Sequence, residues 1–235
     1  MKALELIVLS GPNGAGKSTL SEGYVPPGTD IFDGDKEMAI LKHRYPMTDS
    51  GTLYEAANGV VFAQRKEQAI RSGNDFAFET NFRSETVMDS VAEFQRNGYR
   101  TTLYHIGLPS VEASMNRVDI RVKSGGHFVD PENITQNYER GLENLAKFYD
   151  RFDQVNILES EMDQEVPFRM SALMRIEKGI ITYKIDQLPE WAQKIVEVVG
   201  QRKQSEIDQR LRNVTDVRPS KERGRDKGND FGLGM

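Results

Sequence analysis

Glycines at fixed spacing, followed by a lysine and a hydroxyl side chain, make up the stretch of this sequence with the clearest chemistry. Residues 11–18 fit the phosphate-binding P-loop pattern G-x-x-x-x-G-K-S/T. Its glycines permit backbone dihedrals closed to other residues, so that N–H groups can point at phosphate oxygens. We expect Lys17 to reach the β- and γ-phosphates of a nucleotide and the Ser18 hydroxyl to bind Mg²⁺. The predicted nucleotide-binding residues here are Gly11, Pro12, Asn13, Gly14, Ala15, Gly16, Lys17, Ser18 and Thr19.

The segments on either side of the loop support this interpretation. Residues 4–9 form an apolar run of strand length, and residues 18–20 can begin a helix. Strand, glycine turn and helix start are the setting in which the motif binds phosphate. A glycine turn that only connects two elements is the alternative, and the motif and its setting together disfavour it.

Two carboxylates follow the second predicted strand, 29–32. Asp35 lies where a loop passes into a helix, and it is our candidate for the base that takes the proton of an acceptor hydroxyl. The alternative role for Asp35 is a helix N-cap, which is common for aspartate before a helix. Asp33 is a candidate Mg²⁺ ligand through water or a turn residue, and we favour the turn.

Polar residues also end the third predicted strand, 75–80. Phe76 and Phe78 indicate that this strand is buried, so the residues that follow lie at its carboxyl end. In α/β sheets ligands gather at the carboxyl ends of parallel strands. The predicted substrate-binding residues are Glu79, Thr80 and Asn81.

A basic helix supplies candidate cations. Arg117 and Arg121 lie four residues apart and share a helix face, and a Gly-Gly pair precedes His127. A basic segment with such a hinge is typical of a lid that brings cations onto phosphates, so we count all three side chains as candidate catalytic residues. A solvated helix face is the alternative for the arginines, and a hinge cap for His127. Arg140, on the next helix, is expected either to reach the nucleotide or to pair with a nearby acid.

Composition narrows the classes of protein that remain. The chain has 235 residues, a formal net charge of −5 and no cysteine. This length suits one α/β domain with an appendage, and the charge argues against a general nucleic-acid binder. Neither a membrane span nor a secretory leader is recognisable, so we expect no membrane partner and a cytoplasmic location.

Alternating strands and helices predict an α/β fold of the P-loop NTPase type, with a mostly parallel sheet flanked by helices. The core is predicted at 1–159, with its lid at about 110–130. The pattern then changes, and 160–212 is interpreted as an appendage of a β-hairpin and a long helix. Residues 213–235 have mixed charge and few apolar side chains, and we expect them to be disordered.

Taken in order, these segments resemble the zeta-toxin family of P-loop kinases, especially its small bacterial members, over about residues 4–158. The resemblance implies transfer of the ATP γ-phosphate to a hydroxyl, with Lys17 and Ser18 holding phosphate and Mg²⁺. It also implies that Asp35 is the catalytic aspartate, Glu79 an acid of the substrate site and Arg117 the first lid arginine. The segments that carry the resemblance are 10–19, 33–35, 78–82, 117–127 and 138–145.

The toxin branch of that family phosphorylates UDP-N-acetylglucosamine and is held in check by an antitoxin protein, so the resemblance implies both as expectations. This sequence departs from the toxin branch at three places. His127 stands where that branch has a second lid arginine, Asn137 where many relatives carry arginine, and Glu159-Ser160 at the end of the fifth strand. His127 in that place is shared with the small bacterial members.

The leading hypothesis is therefore an ATP-dependent, Mg²⁺-dependent kinase of a small molecule, with a nucleotide-sugar such as UDP-N-acetylglucosamine as one acceptor. An ATPase, or a kinase of a nucleotide or an antibiotic, is an alternative within the enzymes. A nucleotide-binding interaction module without catalysis is an alternative from another class. Asp35 favours a kinase over a plain ATPase, because hydrolysis needs only a placed water.

Overall fold

The structure is a computed structural model that describes residues 3–126, 128–161 and 169–215. The chain divides into two compact units, 1–199 and 200–235. Within the described residues the strands are β1 (Glu5–Ser10), β2 (Asp30–Phe32), β3 (Phe76–Thr80), β4 (Arg100–Gly107), β5 (Gln154–Glu161), β6 (Arg169–Glu177) and β7 (Ile180–Lys184). The helices there are α1 (Lys17–Tyr24), α2 (Gly34–Arg44), α3 (Ser50–Glu55), α4 (Phe62–Ser72), α5 (Val87–Arg96), α6 (Val111–Lys123), α7 (Pro131–Phe148) and α8 (Glu190–Thr215).

The seven described strands form one sheet in the order β2-β3-β1-β4-β5-β6-β7. Strands β1 to β5 pair in parallel, and β6 and β7 extend the sheet as an antiparallel hairpin. The carboxyl ends of the first five strands therefore meet at one edge. This confirms the predicted fold class, including the C-terminal hairpin and helix.

Strand β1 is buried on both faces of the sheet, which shows that both faces are covered there. Leu6 and Val8 belong to one apolar cluster, whereas Ile7 and Leu9 belong to another. Successive side chains of a strand point to opposite faces, so a continuous apolar run marks a strand with a core on each side. The P-loop that follows β1 is thus anchored at the centre of the sheet.

The sequence pattern predicts one long helix from about 52 to 71, but the structure interrupts it with a π-helical turn. This turn spans 56–61 between α3 and α4, and the Phe62 N–H donates to the Ala57 carbonyl five residues earlier. Asn58, within the turn, packs tightly on Gly34. A Cβ atom added to Gly34 would lie 2.2 Å from the Oδ1 atom of Asn58. This contact between two helices is a tertiary one, which the sequence pattern does not record.

The C-terminal part of the chain extends the sheet beyond the parallel strands. The sequence pattern predicts the fifth strand at 154–158, but β5 continues to Glu161 because β6 pairs with it beyond the parallel pairing with β4. The boundary of the core at 159 stays a prediction, and β6 and β7 continue the same sheet. Of the tail predicted at 213–235, only 213–215 are described, at the end of α8, and the rest lies outside the described residues. In the described part of the chain, no helix has both the length and the apolar character needed to cross a bilayer.

Candidate active site

The P-loop packs against its neighbours at distances that only glycine allows. A Cβ atom at Gly11 would lie 2.3 Å from the Ile106 carbonyl oxygen, and one at Gly14 would lie 2.6 Å from the Arg117 Cβ. Both glycines have positive φ, at 146° and 77°. Helix α1 then begins at Lys17 without a side-chain cap, which leaves its first N–H groups to an anion. The sequence pattern therefore folds into a cradle for phosphate.

The ammonium group of Lys17 is surrounded by oxygen acceptors. Its Nζ donates to the carbonyls of Gly11 and Pro12, at 2.8 and 3.1 Å, and to Asn81 Oδ1 at 2.9 Å. Burial lowers the pKa of Lys17 to about 8, against the opposing effect of Glu79 and other nearby carboxylates. A phosphate group beside this ammonium would restore the preference for the charged form.

Oxygen ligands for a hard cation converge next to Lys17. Ser18 Oγ donates to Glu79 Oε2 at 2.9 Å and lies 3.4 Å from Asp33 Oδ2. Glu79 Oε1 is buried and has no hydrogen-bond partner among the described residues. Burial, and next the charge of Asp33, raise the pKa of Glu79, so a cation here would relieve an unfavourable carboxylate.

This donor set fits Mg²⁺ rather than a metal held by protein ligands alone. Within 3–126, 128–161 and 169–215, no group of three or more His, Cys, Asp or Glu residues is placed to hold a metal ion. Mg²⁺ usually takes one or two carboxylates and completes its shell with water and substrate phosphates. Ser18, Glu79 and Asp33 supply that kind of partial shell.

The two aspartates after β2 have different surroundings. Asp33 is buried and caps α2, since its Oδ1 accepts from the N–H groups of Asp35 and Lys36 at 3.0 and 3.3 Å. The capping role considered for Asp35 thus belongs to Asp33, which we had read as a turn residue. Asp35 is exposed on the wall of the cleft beside the P-loop. An acceptor hydroxyl can reach it there.

Helix α6 lies directly against the P-loop. Ser114 Oγ donates to the Asn13 carbonyl at 2.6 Å, and Asn137 Nδ2 donates to Asn13 Oδ1 at 2.8 Å. The guanidinium of Arg117 donates to the Gly14 carbonyl at 3.2 Å and is half-buried, which lowers its pKa. Arg121 lines the same cleft. The two arginines therefore face the phosphate cradle, whereas the solvated-face alternative would have placed them outside it.

Four cleft residues were not predicted as site residues from the sequence. Gly34 begins α2, Tyr54 and Asn58 come from α3 and the π-helical turn, and Ile120 comes from α6. The aromatic residue at 54 was a weak signal, because nothing local to these helices tells which face meets the P-loop. Together with the residues above they enclose a cleft of about 590 Å³.

The structure brings most of the predicted site residues into this one cleft, but not all of them. Gly11 and Pro12 contribute their carbonyls to Lys17, and Ala15 is buried behind the loop. Arg140 is exposed and forms an ion pair with Glu143 at 2.8 Å, away from the cleft lining. His127 lies outside the described residues. The predicted residues that line the cleft are Asn13, Gly14, Gly16, Lys17, Ser18, Thr19, Asp35, Glu79, Thr80, Asn81, Arg117 and Arg121.

Comparisons with known proteins point to one family. The family model described as "Zeta toxin" matches residues 37–169, more than half of the chain. The match begins after the P-loop, so the loop and the family match are separate observations. A protein of Haemophilus influenzae is 26% identical over 132 residues, which are 56% of this chain and 91% of that protein.

Solved structures share the fold at low sequence identity. A structure of the PezAT chromosomal toxin-antitoxin system of Streptococcus pneumoniae has a TM-score of 0.55 and 16% identity, over 87% of this chain and 88% of that one. The AvrRxo1-ORF1:AvrRxo1-ORF2 complex with sulphate ions has a TM-score of 0.60 and 15% identity, over 84% of this chain and 64% of that one. The same complex with ATP has a TM-score of 0.56 and 15% identity over the same shares.

Proposed function

Since the chain belongs to the zeta toxin family of P-loop kinases, we propose that it transfers the γ-phosphate of ATP to a hydroxyl group of a small molecule. The observation that carries the proposal is the convergence of a carboxylate with two cations on one cleft. Asp35 lies on the wall of the cleft that also holds Lys17 and Arg117. Phosphoryl transfer needs these two kinds of group on either side of the moving phosphoryl.

Each group has a role that follows from its position. The backbone N–H groups of the P-loop and the Lys17 ammonium bind the β- and γ-phosphates. Asp35 accepts the proton of the acceptor hydroxyl while the oxygen of that hydroxyl forms a bond to the γ-phosphorus. The bond between that phosphorus and the β,γ-bridging oxygen breaks, and ADP leaves. Arg117 stabilises the charge on the transferring oxygens.

We propose Mg²⁺ as the cation of this site, held by Ser18 with Glu79 and Asp33 around it. When bound, it neutralises charge on the β- and γ-phosphate oxygens. Glu79 Oε1 is buried and finds no hydrogen-bond partner in the described part of the chain, which supports this assignment, because an uncompensated carboxylate oxygen is costly inside a protein.

A nucleotide-sugar such as UDP-N-acetylglucosamine is the first acceptor to test. The family match supports this choice, and so does the cleft of about 590 Å³, which extends beyond the P-loop to Tyr54 and Asn58. We also propose a protein antitoxin as partner, by analogy with the PezAT toxin-antitoxin system, and action in the cytoplasm, where ATP and nucleotide-sugars are made.

The experiment is incubation with γ-labelled ATP and a panel of nucleotide-sugars, followed by mass spectrometry of the products. We expect one added phosphate on an acceptor. Asp35→Asn should abolish transfer and leave ATP affinity within about twofold, because Asp35 acts on the acceptor hydroxyl and not on the nucleotide. Asp119→Asn, an exposed carboxylate on α6, is the matched control and should transfer at the wild-type rate.

A wild-type protein that binds ATP but phosphorylates nothing, in the panel or in a metabolite extract, would contradict the proposal. That result would favour a nucleotide-binding module. Release of inorganic phosphate at the same rate in Asp35→Asn would indicate an ATPase that uses a placed water instead.

A further inference from the structure

Ser160 accepts two hydrogen bonds from the guanidinium group of Arg117, which also contacts the P-loop. Arg117 Nη1 donates to Ser160 Oγ at 2.6 Å, and Arg117 Nη2 donates to the Ser160 carbonyl at 2.8 Å. Nη1 also donates to the Gly14 carbonyl at 3.2 Å. Ser160 is fully buried, at 0% exposure, whereas Arg117 is half-buried and lines the cleft. The planar fork of the arginine is thus fixed between the end of β5 and the P-loop.

The C-terminal hairpin places Ser160 there. The parallel pairing of β5 with β4 ends at Glu159, which lies opposite Gly107. Beyond that point Ser160 pairs with Met170 of β6. The antiparallel hairpin therefore extends β5 past its pairing with β4, and the extension brings Ser160 to the Arg117 side chain.

Helix α8 secures the same strand end. Trp191, only 5% exposed, donates its indole N–H to Glu159 Oε1 at 3.1 Å. The Trp191 ring packs on Gly107, and a Cβ atom added to Gly107 would lie 2.2 Å from the nearest carbon of that ring. A continuous set of contacts thus runs from Trp191 through Glu159 and Ser160 to Arg117.

We propose that Ser160 is a positioning residue for phosphoryl transfer, and that the C-terminal strands and the start of α8 serve the catalytic cleft through it. This inference rests on the proposed function above. An arginine that reaches the phosphoryl group from a long, flexible side chain must lose many conformations on the way. Two hydrogen bonds from its fork to one buried residue fix that conformation before the nucleotide arrives.

The test compares binding of ADP with binding of ADP, Mg²⁺ and aluminium fluoride, which mimics the transferring phosphoryl group. By calorimetry, Ser160→Ala should weaken binding of the fluoroaluminate complex about tenfold and change ADP binding less than twofold, because a hydrogen bond to a charged group is lost. Ser90→Ala, another buried serine, on α5, is the matched control and should change neither. Ser160→Cys, which nearly keeps the volume of serine, should weaken the complex in the same way and serves if the alanine variant does not fold.

A double-mutant cycle with Arg117→Ala shows whether Ser160 acts through that arginine. In the Arg117→Ala protein, Ser160→Ala should have no further effect on the affinity for the fluoroaluminate complex. If Ser160 only stabilised the fold, Ser160→Ala would lower this affinity with or without Arg117. Equal binding by wild type and Ser160→Ala, or an undiminished effect without Arg117, overturns the inference alone. A wild-type protein that binds the fluoroaluminate complex no better than ADP, and that also phosphorylates nothing in the acceptor panel, overturns the proposed transfer as well.

Discussion

The two halves of the cleft differ in how firmly their side chains are held. On the phosphate side, Lys17 donates to Gly11, Pro12 and Asn81. On the acceptor side, Asp35 is exposed and Tyr54 is 58% exposed, although both line the cleft. Backbone and buried polar groups build the first half, and side chains on the surface of helices build the second.

Under the proposed function, this difference reflects what each half would bind. A triphosphate is the same in every turnover, so its site can be built from carbonyls, N–H groups and a partly buried lysine. An acceptor would be recognised by shape, and the wall proposed for it includes α2, none of whose residues is buried. Elements with little core packing are those that open and shift most easily. The comparison predicts large effects for changes on the phosphate side and smaller ones on the acceptor side.

Gly14→Ala should have the largest effect. Its added Cβ would meet the Arg117 Cβ at 2.6 Å, and its φ of 77° is strained for alanine. We expect ATP affinity, measured by calorimetry, to fall by a factor of about 10 to 100, or about 1.4 to 2.7 kcal/mol. Gly28→Ala is the control, since Gly28 has a similar φ of 85° with open space around it. Equal losses of ATP affinity in both variants would show that the contact with α6 is unimportant.

Raising the pH should weaken nucleotide binding on the same side of the cleft. Under the proposed function the ammonium form of Lys17 binds phosphate, and burial lowers the pKa of Lys17 to about 8. The affinity for ATP should therefore be highest below that pH and should fall as the pH rises through it, by about tenfold between pH 7 and pH 9. ATP titrations at constant free Mg²⁺ measure this. Lys17→Arg should flatten the profile, because arginine stays charged throughout, and a flat wild-type profile would contradict the pKa shift.

Tyr54→Ala tests the acceptor side. We expect the KM for the acceptor to rise about fivefold and the KM for ATP to change less than twofold, because the exposed ring offers contact area beyond the phosphate cradle. Tyr45→Ala is the control, since Tyr45 is similarly exposed, at 51%, but does not line the cleft. A rise in the KM for ATP instead would assign Tyr54 to the nucleotide half and would contradict the division of the cleft into a phosphate side and an acceptor side.

Arg140→Ala should have the smallest effect. Its ion pair with Glu143 is exposed, and such pairs contribute about 0 to 1 kcal/mol to stability. ATP affinity should change less than twofold and the thermal midpoint by about a degree or two. A loss of ATP affinity beyond about fivefold would support the nucleotide contact that the sequence led us to expect, and it would extend the firmly held half onto α7.

The phosphate half was also the half that the sequence predicted well. Its motif is contiguous, and the strands that carry it are marked by apolar runs such as Leu6 to Leu9, so local rules suffice. The contact of Ser160 with Arg117 was missed because β5 owes its last residues to pairing with β6, a contact across the sheet. Asn58 was missed because its place in the cleft goes with a close contact to Gly34 of another helix, which no local pattern records. Asp33 and Asp35 were both found, but only the geometry of α2 showed which one is the cap.

The wide turn at 56–61 lets the protein carry an extra residue in the wall of its cleft without disturbing the elements on either side. A π-type turn contains one residue more than a regular turn. Because it is wound more loosely than the 3.6 residues per revolution of an α-helix, the segments before and after it keep nearly the same relative orientation with or without that residue. Loss of one residue there would therefore leave Tyr54 and α4 facing as they do now and would change the cleft at the turn itself, where Asn58 lies. A single-codon change would reshape this part of the wall while residues 11–18 kept their sequence.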